Sequence, residues 1–292
     1  MTPSGKHNRK ARGPQTRTLI IVGGHEDKKN HPVILREIAK RVGDGKLVVT
    51  AIASSKPEEA FERYDKTFRE LGVRHIARLK IETRSDALEP RNARILDGAT
   101  ALFFTGGDQL KITSRIGDTP ILHQLRSFYD RGGVVAGTSA GAIAMCRTMM
   151  INGNNDASHR IGDLLRMAPG LGLIENALID PHFSERGRMG RMLGAVAQNP
   201  QALGIGIDED TALIVENEEV FTVMGEGAVY VVDGQTVTYS NVGEANEGET
   251  LTLHNARVHV ISEGSTFNLR ERQPGRPKPR DPDEVRSGPP DS

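Results

Sequence analysis

Four apolar runs narrow the folds open to this chain more than anything else in it: "TLIIVGG" (18–24), "KLVVTAIASS" (46–55), "ATALFFTGG" (99–107) and "GVVAGT" (133–138). None alternates apolar with polar residues, so strands built from them are apolar on both faces. Stretches with helical spacing lie between them. One covers 32–42, with Pro32 in a first-turn position that tolerates proline. Others cover 57–71, ending before Gly72, and 119–131. "HIARLKI" (75–81) adds a strand. Buried strands alternating with helices predict an α/β fold, a doubly wound, mostly parallel sheet flanked by helices.

After about residue 200 the pattern changes. "ALGIGIDEDTALIVENEEVFTVMGEGAVYVVDGQTVTYSNV" holds short β-rich runs broken by Glu-Asn, Gly-Glu-Gly and Asp-Gly, and "LTLHNARVHVIS" (251–262) follows. These read as hairpins, expected to extend the same sheet in antiparallel fashion. The expected organisation is one α/β domain over 17–269. A disordered N-terminal tail (1–16) and a disordered Pro/Arg-rich C-terminal tail (270–292) flank it.

Charge and cysteine content exclude several function classes. Lys+Arg and Asp+Glu both number 38, a net charge of zero. That balance argues against nucleic acid or a membrane surface as partner. No apolar run approaches the roughly 20 residues that span a bilayer. The opening "MTPSGKHNRKARGPQTR" is basic and lacks a signal peptide's apolar core. Cys146 is the single cysteine, too few for a disulfide framework or a thiolate metal site. A cytoplasmic location is expected.

The chemistry gathers where strands end. "VVAGTSAGAIAM" (134–145) runs from a strand through Gly137-Thr138-Ser139-Ala140-Gly141 into a helix. Gly-x-Ser-x-Gly in that setting permits a sharp turn that lifts the serine hydroxyl above the sheet edge. The Ala140 N–H, at the helix start, points to the same spot. The plainer reading is a glycine-lined turn with Ser139 as a helix cap. "FFTGGDQ" (103–109) leaves its strand through Gly106-Gly107, making Gly107 a candidate second oxyanion donor, or part of an ordinary strand-to-helix turn. "VGGHEDK" (22–28) would sit on the same edge.

A serine nucleophile needs a base, and the base needs an orienting acid. Nine histidines compete. His7 lies in the tail, His75 on the opposite sheet edge, His123 in a helix, and His254 and His259 in late strands. His25 and His159 lie in loops and stay open. His182 is best placed, in "NALIDPHFSERGRMGRML", where a strand passes through Asp180-Pro181-His182-Phe183 into a helix expected to be capped by Ser184. For the acid, "LGIGIDEDTALIV" (203–215) offers Asp208, Glu209 and Asp210. Read as one strand, alternation puts Glu209 on the face of Ile205 and Ile207, where a carboxylate needs a partner such as histidine. A bulge would reverse that parity. Arg188 and Arg191 share a helix face and, with Arg186, form a local basic patch, either a carboxylate-binding set or a solvated face.

Together "IIVGGHEDK", "FFTGGDQ", "AGTSAGA", "DPHFSERGRMGR" and "GIGIDEDTA" resemble, in order and at plausible spacing, the cyanophycinases. These belong to a serine peptidase family that also contains the aspartyl dipeptidase peptidase E and shares a fold like class I glutamine amidotransferases. The resemblance covers most of 18–240. It implies Ser139 as nucleophile, His182 as base and Glu209 as acid. It also implies Gln109, Asp180, Arg186, Arg188 and Arg191 as substrate-binding residues. The implied substrate is cyanophycin, an aspartate backbone with arginine on each β-carboxyl, cleaved to β-Asp-Arg dipeptides. No metal or organic cofactor is implied, and family members are often homodimers. One departure is Pro181, where cyanophycinases carry glutamine; it removes a backbone donor and a polar side chain. Two alternatives remain: an aspartyl or isoaspartyl dipeptidase, and a non-catalytic nucleotide-binding module using "VGGHED" and "FFTGGD". The last lacks a full Gly-x-Gly-x-x-Gly and any lysine-bearing phosphate loop.

Overall fold

The computed structural model describes residues 16–151, 166–246 and 248–275. The tail before residue 16, His159 and the tail beyond 275 lie outside the described residues. The first half runs β1 (Thr18–Val22), α1 (Val33–Val42), β2 (Lys46–Thr50), α2 (Pro57–Glu70), β3 (His75–Arg78), α3 (Arg84–Leu88), α4 (Pro90–Ala93), β4 (Ala99–Phe104), α5 (Gln109–Ile116), α6 (Pro120–Asp130) and β5 (Val134–Thr138). It continues through α7 (Ala140–Ile143), β6 (Thr148–Met150), β7 (Met167–Pro169), β8 (Ala177–Pro181), α8 (Met189–Gln198), β9 (Leu203–Ile207) and β10 (Thr211–Glu216). The remainder is strand: β11 (Val220–Gly225), β12 (Val229–Asp233), β13 (Tyr239–Ser240), β14 (Leu253–His254), β15 (Arg257–Ile261), β16 (Thr266–Asn268) and β17 (Gln273–Pro274).

The main sheet has nine strands in the order β17-β16-β11-β10-β1-β5-β4-β2-β3. β1 to β5 are mutually parallel, and β10, β11, β16 and β17 join antiparallel. Successive residues of one strand feed opposite faces. Leu19, Ile21, Val48, Leu102, Phe104 and Val135 pack with α5 and α6 residues such as Ile112, Ile116 and Leu125. Ile20, Val22, Leu47, Val49, Phe103 and Ala136 pack with Ile34, Leu35 and Ile38 of α1 and Phe68 of α2. The unalternating apolar runs are therefore the strands covered on both sides, as helices on both faces of a parallel sheet require.

Three expectations about the later chain are corrected. The hairpin region does not all extend the main sheet: β8, β9, β12 and β15 form a second, four-stranded sheet, in which β8 and β9 are parallel. Ser184 caps no helix. Residues 183–188 form turns, and α8 begins at Met189 with Arg188 at its N-cap. Ordered structure also continues past 269, because β17 pairs with β16.

Candidate active site

β5 ends at Thr138, and the chain turns at once. Ser139 has φ 53° and ψ −113°, a left-handed backbone that disfavours side chains and is found at functional turns. Its N–H donates to Val22 O of β1 (3.1 Å), and its carbonyl accepts from Ala142 and Ile143 N–H (3.0 Å each). The glycines flanking it allow α7 to lie close beneath the sheet edge. A Cβ on Gly141 would come within 2.7 Å of Phe104 Cβ, and one on Gly137 within 2.8 Å of the Gly141 carbonyl. The half-buried Ser139 makes no side-chain cap bond to α7.

β8 and the β9–β10 turn bring the next two groups from the second sheet. Ser139 Oγ lies 3.0 Å from His182 Nε2. His182 Nδ1 lies 2.6 Å from Glu209 Oε1. A carboxylate only accepts, so Nδ1 carries the proton and Nε2 is left to accept from the hydroxyl. Backbone bonds stitch these segments together: His182 N–H donates to Gly23 O (2.9 Å), and Asp210 N–H to Gly24 O (2.9 Å). Burial holds the His182 imidazole below its usual range. The Glu209 hydrogen bond opposes that shift, and the Arg186 guanidinium adds to it. Burial alone would raise the Glu209 carboxyl, yet hydrogen bonds from His182 and His25 bring it below the usual carboxylate range.

Glu209 is where it was expected, but for a different reason. β9 ends at Ile207, so residues 208–210 are a turn and strand parity does not apply. Asp208 is occupied elsewhere, accepting from Ser184 N–H (2.9 Å) and Ala228 N–H (3.1 Å). Asp210 accepts from Asp27 N–H (2.9 Å).

The cleft around Ser139 measures about 440 Å³ and is lined by Gly106, Gly107, Thr138, His182, Arg186 and the first turns of α2, among others. No acceptor for the Gly107 or Ala140 N–H is present among the described residues. A larger groove of about 720 Å³, bordered by Arg17, Arg126, Tyr129 and Arg147, has no serine, cysteine or histidine among its described lining residues.

Four of the five expected substrate-binding side chains stand away from this cleft. Asp180 is fully buried. Its Oδ1 accepts from Arg188 (2.6 Å), and both oxygens accept from Arg191 (2.9 and 2.8 Å). Burial pushes the Asp180 carboxyl up, while the two guanidiniums pull it back. Arg188 also donates to Pro181 O. The solvated-face reading fails because both arginines are buried. The substrate-binding reading finds no support, because both are buried outside the cleft lining and hold Asp180, with Arg188 Nε left without a partner among the described residues. They brace the end of β8 that presents His182. Gln109 is buried too, donating through Nε2 to Met150 O (2.9 Å). Only Arg186 is exposed and lines the cleft.

The sequence reading missed Glu26 and its partners. Glu26 is 2% exposed. It accepts from Thr138 Oγ1 (2.6 Å) and Tyr64 Oη, and pairs with Lys28 Nζ (2.9 Å). A buried carboxylate needs such donors. Its place right after the glycines of β1 was a signal, but its partner Tyr64 on α2 had no motif to mark it. His25, left open as a base, stands instead beside the acid, with Nδ1 2.8 Å from Glu209 Oε2.

A doubly wound sheet carrying a hydroxyl–imidazole–carboxylate chain at its carboxyl edge is the architecture of a hydrolase. More narrowly, this chain belongs to Peptidase family S51, whose profile matches residues 19–223. A cyanophycinase from Trichormus variabilis is 39% identical over 267 residues, covering 89% of each chain. One from Synechococcus elongatus is 36% identical over 259 residues, covering 87% of this chain and 80% of that one. A peptidase from an acI-B1 actinobacterium has a similar fold, with a TM-score of 0.65 at 20% identity, covering 88% of this chain and 98% of that one. Among the described residues, no helix is long and apolar enough to cross a membrane.

Proposed function

We propose that this peptidase is a serine-type exopeptidase that hydrolyses cyanophycin to β-Asp-Arg dipeptides through an acyl-enzyme. The single observation carrying the mechanism is the continuous Ser139–His182–Glu209 hydrogen-bond chain at the cleft floor. The substrate comes from the relatives named cyanophycinase.

His182 Nε2 takes the Ser139 proton as Oγ attacks the scissile carbonyl. Glu209 holds the ring in the tautomer that can do so and stabilises the imidazolium that forms. The Gly107 and Ala140 N–H groups receive the oxyanion. His182 then gives its proton to the departing amine, and water, activated by the same ring, releases the acyl group from Ser139. The cleft carries exposed charges of both signs: Lys56, Arg63 and Arg186 beside Glu59. A polymer bearing carboxylates and guanidiniums meets a counter-charge for each.

A second reading, an aspartyl or isoaspartyl dipeptidase, draws on one observation: of the three neighbouring arginines only Arg186 lines the cleft. Assaying cyanophycin beside free Asp-X and β-Asp-X dipeptides decides between them. Release of β-Asp-Arg from the polymer is expected. Turnover of dipeptides alone would overturn the polymer assignment.

A further inference from the structure

His25 has no task in the hydrolytic reading. It follows Gly24 with φ 48°, again a left-handed backbone at a non-glycine residue. Its side chain is 72% exposed, on the cleft wall, with Nδ1 2.8 Å from Glu209 Oε2. His182 Nδ1 holds the other oxygen at 2.6 Å. The two rings meet edge to face, centroids 5.0 Å apart and planes at 77°. One ligating atom from each of His25, His182 and Glu209 lies within 4.8 Å of the others. Two imidazoles and a carboxylate are the donor set of open zinc sites, in which water takes the fourth position. With zinc–ligand bonds near 2.0–2.1 Å, donors in a tetrahedron stand about 3.3 Å apart. The two nitrogen–oxygen separations, 2.8 and 2.6 Å, need to open by about half an ångström, while the two imidazole nitrogens, within 4.8 Å of each other, close to the same span as Glu209 turns one oxygen to both.

We propose that His25, His182 and Glu209 form a binding site for a divalent transition cation, best matched by zinc, which reversibly switches off the hydrolytic centre. The switching part rests on the reading of Ser139, His182 and Glu209 as that centre. In the metal-free site His182 carries its proton on Nδ1 and presents a lone pair at Nε2 to Ser139. When Nδ1 donates its lone pair to zinc, its proton passes to Nε2 of the same ring. His25 changes in the same way, and Glu209 gives one oxygen to the ion. No proton is lost from the His182 ring. His182 now points an N–H at Ser139 Oγ and can no longer accept the hydroxyl proton. The ion therefore holds the base in the unproductive tautomer. Zinc is no part of the reaction itself.

The test titrates zinc chloride into the parent, Ser139→Ala and His25→Asn, with calorimetry for binding and cobalt(II) visible absorption for tetrahedral geometry. Asparagine tolerates the left-handed backbone at position 25, and a melting curve checks each fold. The parent and Ser139→Ala should share one zinc equivalent that His25→Asn binds about 10- to 100-fold more weakly, a scale seen even for indirect metal partners. The tetrahedral cobalt band should disappear in His25→Asn. Zinc inhibition of the parent should be reversed by EDTA and require correspondingly more zinc in His25→Asn. An unchanged zinc equivalent in folded His25→Asn, or no zinc uptake by Ser139→Ala, would overturn the site. Calorimetry and the cobalt band need no turnover. A chain that binds zinc but hydrolyses nothing removes the hydrolytic reading, whereas one that hydrolyses without binding zinc removes only this proposal.

Discussion

The His182 ring occupies the space that a side chain on Gly24 would need: a Cβ there would lie 2.3 Å from Cε1 and 2.5 Å from Nε2. Gly24 also has φ 102°, which glycine adopts without penalty. We therefore predict that Gly24→Ala displaces the imidazole from Ser139 and removes most activity. The melting temperature should fall only modestly, because Gly24 is a loop residue outside the sheet. A Gly24→Ala protein with parental kcat would show that the ring has another way to seat itself.

Ser139→Ala should lower turnover on the order of 10⁴-fold or more while leaving the unfolding midpoint near that of the parent. Turnover on β-aspartyl substrates and a denaturant titration check the two halves. Retained hydrolysis would assign the nucleophile elsewhere.

Glu209→Gln should lose less than His182→Ala, by about 100-fold in kcat, because the carboxylate only orients and supports the ring. The comparison is of initial rates at saturating substrate. A parental rate in Glu209→Gln would remove Glu209 from the catalytic chain.

Arg191→Ala and Arg186→Ala should separate cleanly. The first leaves Asp180 buried with half its partners, and removing one member of such a buried pair costs about 3–5 kcal/mol. Chemical denaturation should show that loss. The second removes an exposed cleft residue, so its effect should appear in KM with stability nearly unchanged. The reverse pattern would restore the buried pair to substrate binding.

The acid limb of kcat/KM should lie below pH 6.5, the ordinary imidazole value. Burial disfavours the protonated ring, so neutral His182 persists to lower pH than a free imidazole. Arg186→Ala removes a cation that also disfavours protonation, and the limb should move upward. A pH–rate profile of both proteins tests the sign. A parental limb above 6.5, or a downward shift in the variant, would contradict the electrostatics described.

How much of this was legible in the chain differs from segment to segment. The strands of the parallel layer could be read because burial on both faces leaves a continuous apolar signature, as in "TLIIV" and "ALFF". Ser139 and His182 could be placed because the glycine elbow and the strand-end Asp-Pro-His mark where a chain leaves a sheet. The second sheet could not be read: β9 and β10 join through Asp208-Glu209-Asp210 with no glycine or proline to announce that the chain changes layers. The arginines misled because helical spacing cannot distinguish a wet face from one turned onto a buried carboxylate such as Asp180. Glu26 stayed hidden because it lies in the loop after β1 and its partner Tyr64 is 38 residues away on α2.

Ser139 follows a strand of the nine-stranded sheet, His182 follows a strand of the four-stranded one, and Glu209 lies on the chain that passes between them. Turnover thus reports on the docking of two layers. During refolding, circular dichroism should recover as each layer forms, and peptidase activity should return only when the two have locked together. The lag between the two signals would time that final assembly step.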